Sequence, residues 1–465
     1  MSKRPMSKRG MSSRLLIGVA GVAALTAFAA PKLQAAETIA RAVIPAEREE
    51  AQKVPMPPVF HVEYTEIDGP VFADANGKTL YFWPNTTMRN GVTGDPKNQS
   101  MCTDTVQTKT AGLMSPYPPG LELPELKTRK SCLDMWPAVY AADDAKPVGA
   151  FTVITRKDGK KQWAYDQHAL YTSDQDKVPG DVNGASTKGG QGDGPAARDV
   201  AQVPSAVPPG FLVRTSAEGR MLLNDKNYSV YMWDRDGANK SACDETCTRT
   251  WAPVLASVAA QPQGEWTIFE RSPGVRQWAF RKKPLYTYAL DAETRSQQGS
   301  DIPGWHNVYV QKAPAFPKEF THQDSETGVV LADAKGKTIY TYNCADDSVD
   351  QLSCDSMDSP QSYRLAICGG GKVDRCLRDW PYVVAAKDAK STSRTWQVVE
   401  VDPQTGHAAE PGKGLKVWAY QGQPVYTHVL DKKPGDMLGN GNGEFGGSRN
   451  GFRAFVLRDD FFGGR

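Results

Sequence analysis

Eight cysteines are the residues of this chain best placed to do chemistry, and their surroundings repeat. Cys132, Cys247 and Cys376 each stand four residues before a tryptophan, Trp136, Trp251 and Trp380. Cys102, Cys243 and Cys354 each follow a serine closely, Ser100, Ser241 and Ser353. An even number of cysteines in an exported chain reads as a disulfide set, and a repeated pair implies a repeated bridge. The expected pairs are therefore Cys102–Cys132, Cys243–Cys247 and Cys354–Cys376, with Cys344–Cys368 as an extra staple. Zinc is disfavoured because the chain has no Cys-x-x-Cys and few histidines. The short Cys243–Cys247 loop is the place where redox activity could arise, since strained or exposed disulfides are the labile ones. Stapling of small, loop-rich domains is the commoner role.

Carboxylates offer a second chemistry. Asp176-x-x-Pro179-Gly180-Asp181 recurs as Asp431-x-x-Pro434-Gly435-Asp436, and clustered hard oxygens suit calcium, so these four aspartates are the metal candidates. Pro-Gly flanked by Asp is also the signature of a capped type II turn, and that alternative stays open. Asp234-Arg-Asp236-Gly237-Ala-Asn239 looks like a fragment of a calcium loop, but its Gly comes too early and the closing Glu is missing. His61, His168, His306, His322, His407 and His428 form no local pair and read as solvated strand residues. There is no Gly-x-Ser-x-Gly, His-Glu-x-x-His, phosphate loop, dinucleotide fingerprint or Cys-x-x-Cys-His. No catalytic residue and no cofactor is therefore expected, although paired carboxylates would leave no local signature.

The elements that must carry these residues are short strands. Gln162-Trp163-Ala164-Tyr165 alternates with period two, placing Trp163 and Tyr165 on one face and Gln162 and Ala164 on the other. Trp278 and Trp418 repeat it, each followed by a Tyr-Thr pair at Tyr286 and Tyr426, as Tyr171 follows Trp163. Asp74-Ala-Asn76-Gly77 and Asp333-Ala-Lys335-Gly336 predict tight turns, and Asn227 stands at the glycine position in between; Gly and Asn tolerate positive φ. The aromatic residues read as fillers of small cores with their polar ends bonded at the rim, rather than as a stacking platform. With 42 Gly and 33 Pro and no sustained helical periodicity, the chain is expected to be all-β. Three tandem modules of antiparallel hairpins and meanders, stapled by disulfides, are favoured because each carries its own Cys pair. A six-bladed propeller closed from half-modules is the alternative.

Residues 1–35 hold six cations, no acid and a 16-residue small-and-apolar run, shorter than a membrane span needs, and read as a secretory signal peptide. Removing those cations takes the formal charge from +2 to −4, which argues against nucleic acid as a partner. Residues 36–58 read as a Pro-rich tether. Gly-, Ser- and Pro-rich composition at 184–209 and a weaker break at 313–317 divide the rest into modules 59–200, 201–313 and 314–465.

The motif Tyr-x-[Phe/Trp/Tyr]-x-x-Asp is complete at Tyr231/Trp233/Asp236 and Tyr286/Tyr288/Asp291. It keeps its ends at Tyr171/Asp176 and Tyr426/Asp431, and it is broken at Tyr81/Trp83 (Thr86) and Tyr340/Tyr342 (Ala345). With Cys-x-x-x-Trp-Pro and the Pro-Gly-Asp loop, this resembles the secreted bacterial repeat family "lipoprotein with Yx(FWY)xxD motif", whose function is unknown. No lipidation cysteine stands near the signal region, so that part of the name is not carried over. The resemblance implies an exported repeat protein, periplasmic or secreted, with no integral membrane segment after signal cleavage. The expected role is binding or scaffolding of another exported protein or cell-envelope component. The alternative is an accessory in periplasmic electron transfer that docks a c-type cytochrome.

Overall fold

Each module repeats the same capped turn. In a computed structural model, which describes residues 51, 53–83, 95–106, 108, 130–185, 199–344, 368, 372–443, 446 and 450–460, Gly77, Asn227 and Gly336 take φ of 81°, 63° and 77°. Asp74 Oδ1 accepts from the N–H groups of Asn76 and Lys78 at 2.9 Å each, and Asn224 and Asp333 do the same for their own turns. An Asx side chain followed by a residue at positive φ closes the chain without strain.

Before that turn lies a hairpin: Phe60–Tyr64 with Pro70–Asp74, Phe211–Ser216 with Gly219–Asn224, and Thr321–Asp324 with Gly328–Ala332. The second half of each module is the expected meander. Phe151–Thr155, Lys161–Tyr165 and His168–Ala169 form one sheet, and Trp266–Ser272, Val275–Phe280 and Lys283–Pro284 form its counterpart. Trp396–Val401, Leu415–Tyr420 and Gln423–Pro424 form the third. Val153, Ile268 and Val398 stand opposite Trp163, Trp278 and Trp418, so the register is common to all three. Among the described residues the α-helices Cys132–Met135 and Val373–Asp379 are short, and each delivers the following tryptophan to the core. Ser131 and Asp134 cap the first reciprocally, at 3.2 and 3.0 Å.

Strand alternation sends neighbouring residues into two separate cores per module. Phe72, Leu80 and Trp163 enter one, Val71, Tyr81 and Ala164 the other. Leu222 and Val230 are likewise divided from Tyr231, and Leu331 and Ile339 from Val330 and Tyr340. The fold is nearly all β, in antiparallel sheets, with three disulfides among the described residues. Among the described residues the strands make nine small sheets, none of them closed into a barrel or propeller. Propeller closure fails because each half finds its partner strand inside its own module, as Tyr231 does opposite Tyr286.

Composition breaks overstated the linkers. Asp199–Val200 pairs with Tyr81–Phe82, and Ala201 and Val203 bond back to Phe72 and Pro70 at 2.9 and 3.0 Å, so module 1 ends in a strand. Tyr309–Lys312 and Val456–Asp459 close modules 2 and 3 on the same hairpin strand. Ala51, Val54 and Met56, at the end of the Pro-rich stretch, pack on the module 1 core. The 1–35 segment lies outside the described residues. Residues 40–465 cluster as one compact unit. Glu66 on the first hairpin tip of module 1 accepts from Arg394 N–H (3.1 Å), Thr395 N–H (2.8 Å) and Thr395 Oγ1 (2.9 Å) of module 3. Gln311 of module 2 donates to Thr65 carbonyl at 2.9 Å. Asp460 of module 3 accepts from Gln297 N–H of module 2 at 3.0 Å.

Candidate functional site

The repeated Tyr and Asp meet across each module rather than within one motif. Tyr81 faces Tyr171, Tyr231 faces Tyr286, and Tyr340 faces Tyr426 in antiparallel bridges, and all six rings are buried. Each first-half hydroxyl then reaches the aspartate of the second half. Tyr81 donates to Asp176 at 2.7 Å, Tyr231 to Asp291 at 2.9 Å, and Tyr340 to Asp431 at 2.8 Å. The exchange is reciprocal in module 1, where Tyr171 donates to Asp95 at 2.6 Å. In module 2 Tyr286 faces Asp236, but the hydroxyl bonds Ser241 Oγ at 2.7 Å and Asp236 Oδ2 is left buried without a hydrogen-bond partner.

Burial pushes Asp95 up to about 6, although the Tyr171 hydroxyl, Met101 N–H and Arg156 all favour its charge. Burial likewise pushes Asp291 to about 7 and Tyr286 to about 12. Asp236 and Asp431 rise for the same reason.

An arginine completes the constellation in two modules. Arg156 Nη1 donates to Ser100 Oγ (2.6 Å) and Gln162 Oε1 (2.7 Å), and its Nη2 donates to the Cys102 carbonyl (2.7 Å). Arg271 makes the same three contacts, to Ser241 Oγ (2.6 Å), Gln277 Oε1 (3.1 Å) and the Cys243 carbonyl. In module 3 the Arg and Gln positions are Val401 and Val417, both fully buried. Ser–Tyr–Asp contacts with an adjacent Arg have the parts of a proton relay. In module 1, however, Ser100, Asp95, Tyr171 and Arg156 are all buried, so no substrate atom could reach them. The network satisfies polar groups that the small core would otherwise leave unpaired.

Disulfides Cys102–Cys132 and Cys243–Cys247 form as expected and tie this network to the tryptophan segment. The third bridge corrects the expectation: Cys376 pairs with Cys368, eight residues away, and not with Cys354, so Cys344–Cys368 is excluded too. A Cys at that distance on the same short segment closes a cheaper loop than one 22 residues off, and only Sγ proximity matters to the bond. Cys354 lies outside the described residues; Cys344 ends the strand Tyr340–Cys344.

The four calcium candidates are engaged as turn caps. Asp176 accepts from Tyr81 and Asn183 N–H, and Asp431 from Tyr340 and Leu438 N–H. Asp181 takes the N–H groups of Lys177 and Val178, and Asp436 those of Lys432 and Lys433. Pro179 and Pro434 pack on the turn glycines Gly77 and Gly336. Among the described residues no group of three or more His, Cys, Asp or Glu is arranged to hold an ion. His168 and His428 are not solvated, contrary to expectation. They are 4% and 6% exposed, against Phe82 and Trp380, and burial lowers both.

Asp95 and Arg156 were not picked out from the sequence. Asp95 stands twelve residues after Trp83 where Asp236 stands three after Trp233, and the legible sign was Asp-x-x-x-x-Ser-x-Cys, shared by Asp95–Cys102 and Asp236–Cys243. No helix among the described residues is long and apolar enough to cross a membrane. No curated protein and no solved structure matches the chain. The model of a family described as a secreted repeat of unknown function matches it three times, at residues 152–191, 212–255 and 407–450. Those spans fall on the second half of module 1, the first half of module 2 and the second half of module 3, so the unit recognised is the half-module. Three segments of the chain are thus similar to a secreted repeat of unknown function, which fits an exported repeat protein.

Proposed function

We propose that this protein is a non-catalytic scaffold in the bacterial periplasm or cell envelope that binds an extended segment of another exported protein along its sheet edges. The observation that supports it is a repeated exposed apolar residue. Tyr140, Leu255 and Val384, each four residues after the repeated tryptophan of its module (Trp136, Trp251 and Trp380), are 48%, 59% and 59% exposed. Their neighbours bond inward: Val139 and Ala141 donate to Leu170 and Lys161, Val254 and Ala256 to Leu285 and Arg276, Val383 and Ala385 to Val425 and Lys416. In an antiparallel pairing the intervening residue turns its N–H and C=O outward, where a strand can add. No described strand covers these edges, and charged or proline residues that would blunt them are absent at the three positions.

The experiment places a photo-crosslinking residue at positions 140, 255 and 384 in cells that express the full chain. A common protein adduct at these positions, lost when all three are changed to Asp while melting is unaltered, is the expected result. Adducts that persist in the triple Asp protein, or that form equally from an exposed control site such as Val258, would reject the reading.

A second reading, electron transfer to a c-type cytochrome, is favoured by one feature. In module 2, Trp251 stacks on Trp305 at 3.6 Å and Trp305 on Trp233 at 5.0 Å, a row of indoles that runs from the core to a partly exposed ring. Stopped-flow oxidation of a reduced c-type cytochrome, with and without the protein and its Trp305→Leu variant, decides it. An unchanged rate removes this role.

A further inference from the structure

A cleft of about 420 Å³ separates module 1 from module 3 and is lined from both sides. Lys177 and Arg394 bring two positive charges to it, and the carboxylates nearest to them are already engaged. Asp181 holds the N–H groups of Lys177 and Val178, Asp174 is paired with Lys130 at 2.7 Å, and Glu66 holds the backbone of Arg394 and Thr395. Lys177 Nζ and Arg394 Nη1 touch only backbone carbonyls, of Asp174 and Pro179. The cleft wall is rich in neutral donors. Ser391 and Ser393 accept from the N–H groups of Val398 and Trp396, which leaves each hydroxyl proton to point elsewhere. Gln175 Nε2 is buried with no hydrogen-bond partner.

Three cations, Lys130, Lys177 and Arg394, stand against two lining carboxylates, Asp174 and Asp181, and the one positive charge left over, with two serine hydroxyls on a concave surface, describes a site for one negative charge plus several hydroxyl groups. We infer that the cleft between modules 1 and 3 binds a small acidic sugar, a polyhydroxylated ligand bearing a single carboxylate or phosphate. Ligand hydroxyls would accept from Ser391 and Ser393, and the charge would settle between Lys177 and Arg394. The site needs both modules and none of the three sheet edges, so it stands or falls apart from the docking role.

Isothermal titration calorimetry on the mature full-length protein tests it with glucuronate, glucose 1-phosphate, glucose and inorganic phosphate as probes. Saturable binding of glucuronate or glucose 1-phosphate is expected, the better of the two identifying the acid, with glucose and inorganic phosphate each weaker by about tenfold or more. Lys177→Gln and Arg394→Gln should each weaken the acid by about tenfold, and Lys160→Gln, on the surface of module 1, should leave it unchanged. Because Arg394 also ties the modules together, Lys177→Gln and Ser391→Ala carry the decision if Arg394→Gln lowers the melting temperature. The proposal is overturned if neither acid binds, if inorganic phosphate alone binds as well as the sugar acids, or if Lys177→Gln and Ser391→Ala leave affinity intact.

Discussion

Modules 2 and 3 share register, turn caps and tyrosine pair, yet they differ in what completes their cores. Both cores of module 2 are built from its own residues, with Phe211, Trp266 and Trp278 in one and Trp251, Tyr286 and Trp305 in the other. In module 3 the core around Trp396, Trp418 and Tyr420 also takes in Ile67 from module 1 and Ala217 from module 2, at 1% and 3% exposure. The polar network differs as well: Arg271 and Gln277 hold their places in module 2, where module 3 has Val401 and Val417. Copying fixes the geometry inside a module, while contact between modules is set by a few residues at hairpin tips that no repeat pattern marks.

The widest separation between the two should come from core truncation. Trp278→Ala and Trp418→Ala should each cost about 3–5 kcal/mol. In module 2 the loss should stay local, and in module 3 it should loosen the tips of modules 1 and 2 as well, which hydrogen exchange resolved by segment would read. A smaller loss, about 2–5 kcal/mol, is expected for Ile67→Ala, with the largest gain in exchange in the Trp396–Val401 and Leu415–Tyr420 strands although the residue belongs to module 1. Were exchange to rise only around residues 60–74, the shared core would be wrong. The same logic predicts that a 201–313 fragment unfolds cooperatively and that a 314–465 fragment does not reach the stability module 3 has in the full chain.

The network can be tested by converting one module toward the other. Arg156→Val alone leaves Ser100, Gln162 and the Cys102 carbonyl without that donor and should cost about 1–3 kcal/mol. Adding Gln162→Val should recover part of the loss, as the module 3 pair does natively, and a double-mutant cycle by urea melts measures the coupling. Additive losses would mean that the two positions do not exchange as a unit.

The mildest expected effect is one of pH. Asp291 keeps its proton to about pH 7 in the fold but has an ordinary value of 3.8. Between those values the unfolded chain gives up the proton first, so the contribution is fully present below about pH 4 and is lost as pH rises through 7. Asp95, raised to about 6, works in the same direction over a narrower window. Asp291→Asn should flatten the decline of stability between pH 4 and 7, as read from melting temperature, whereas Asp436→Asn, whose carboxylate is held low by backbone N–H groups, should not.

Alternation, turn chemistry and two of the bridges were legible because each depends on residues close in sequence. Trp163 and Ala164 did part to opposite cores, and the Asp-x-x-Gly turns closed where Gly77 and Gly336 required. The third bridge was misread because its position relative to a serine was taken as fixed, while what matters is that Cys368 lies near Cys376 in space. Asp95 escaped because the insertion after Trp83 displaced it from its motif. The breaks at 184–209 and 313–317 were read from composition, which cannot show that Val200 returns to pair with Tyr81 or Gln311 with Arg220. The cleft between modules 1 and 3 could not be read at all, because Lys177 and Arg394 come from copies whose mutual placement leaves no mark on either.

The crossing of tyrosine and aspartate between halves has a consequence for how such chains can lengthen. A half-module standing alone would bury a phenol whose acceptor lies on its sister and a carboxylate whose donor lies there too, and each orphan would cost free energy. The smallest self-sufficient object is thus a pair of halves related by approximate twofold symmetry, fused in one chain or assembled from two identical short ones. Copy number in chains of this kind should rise by twos, and an ancestor with a single half would have had to live as a symmetric homodimer.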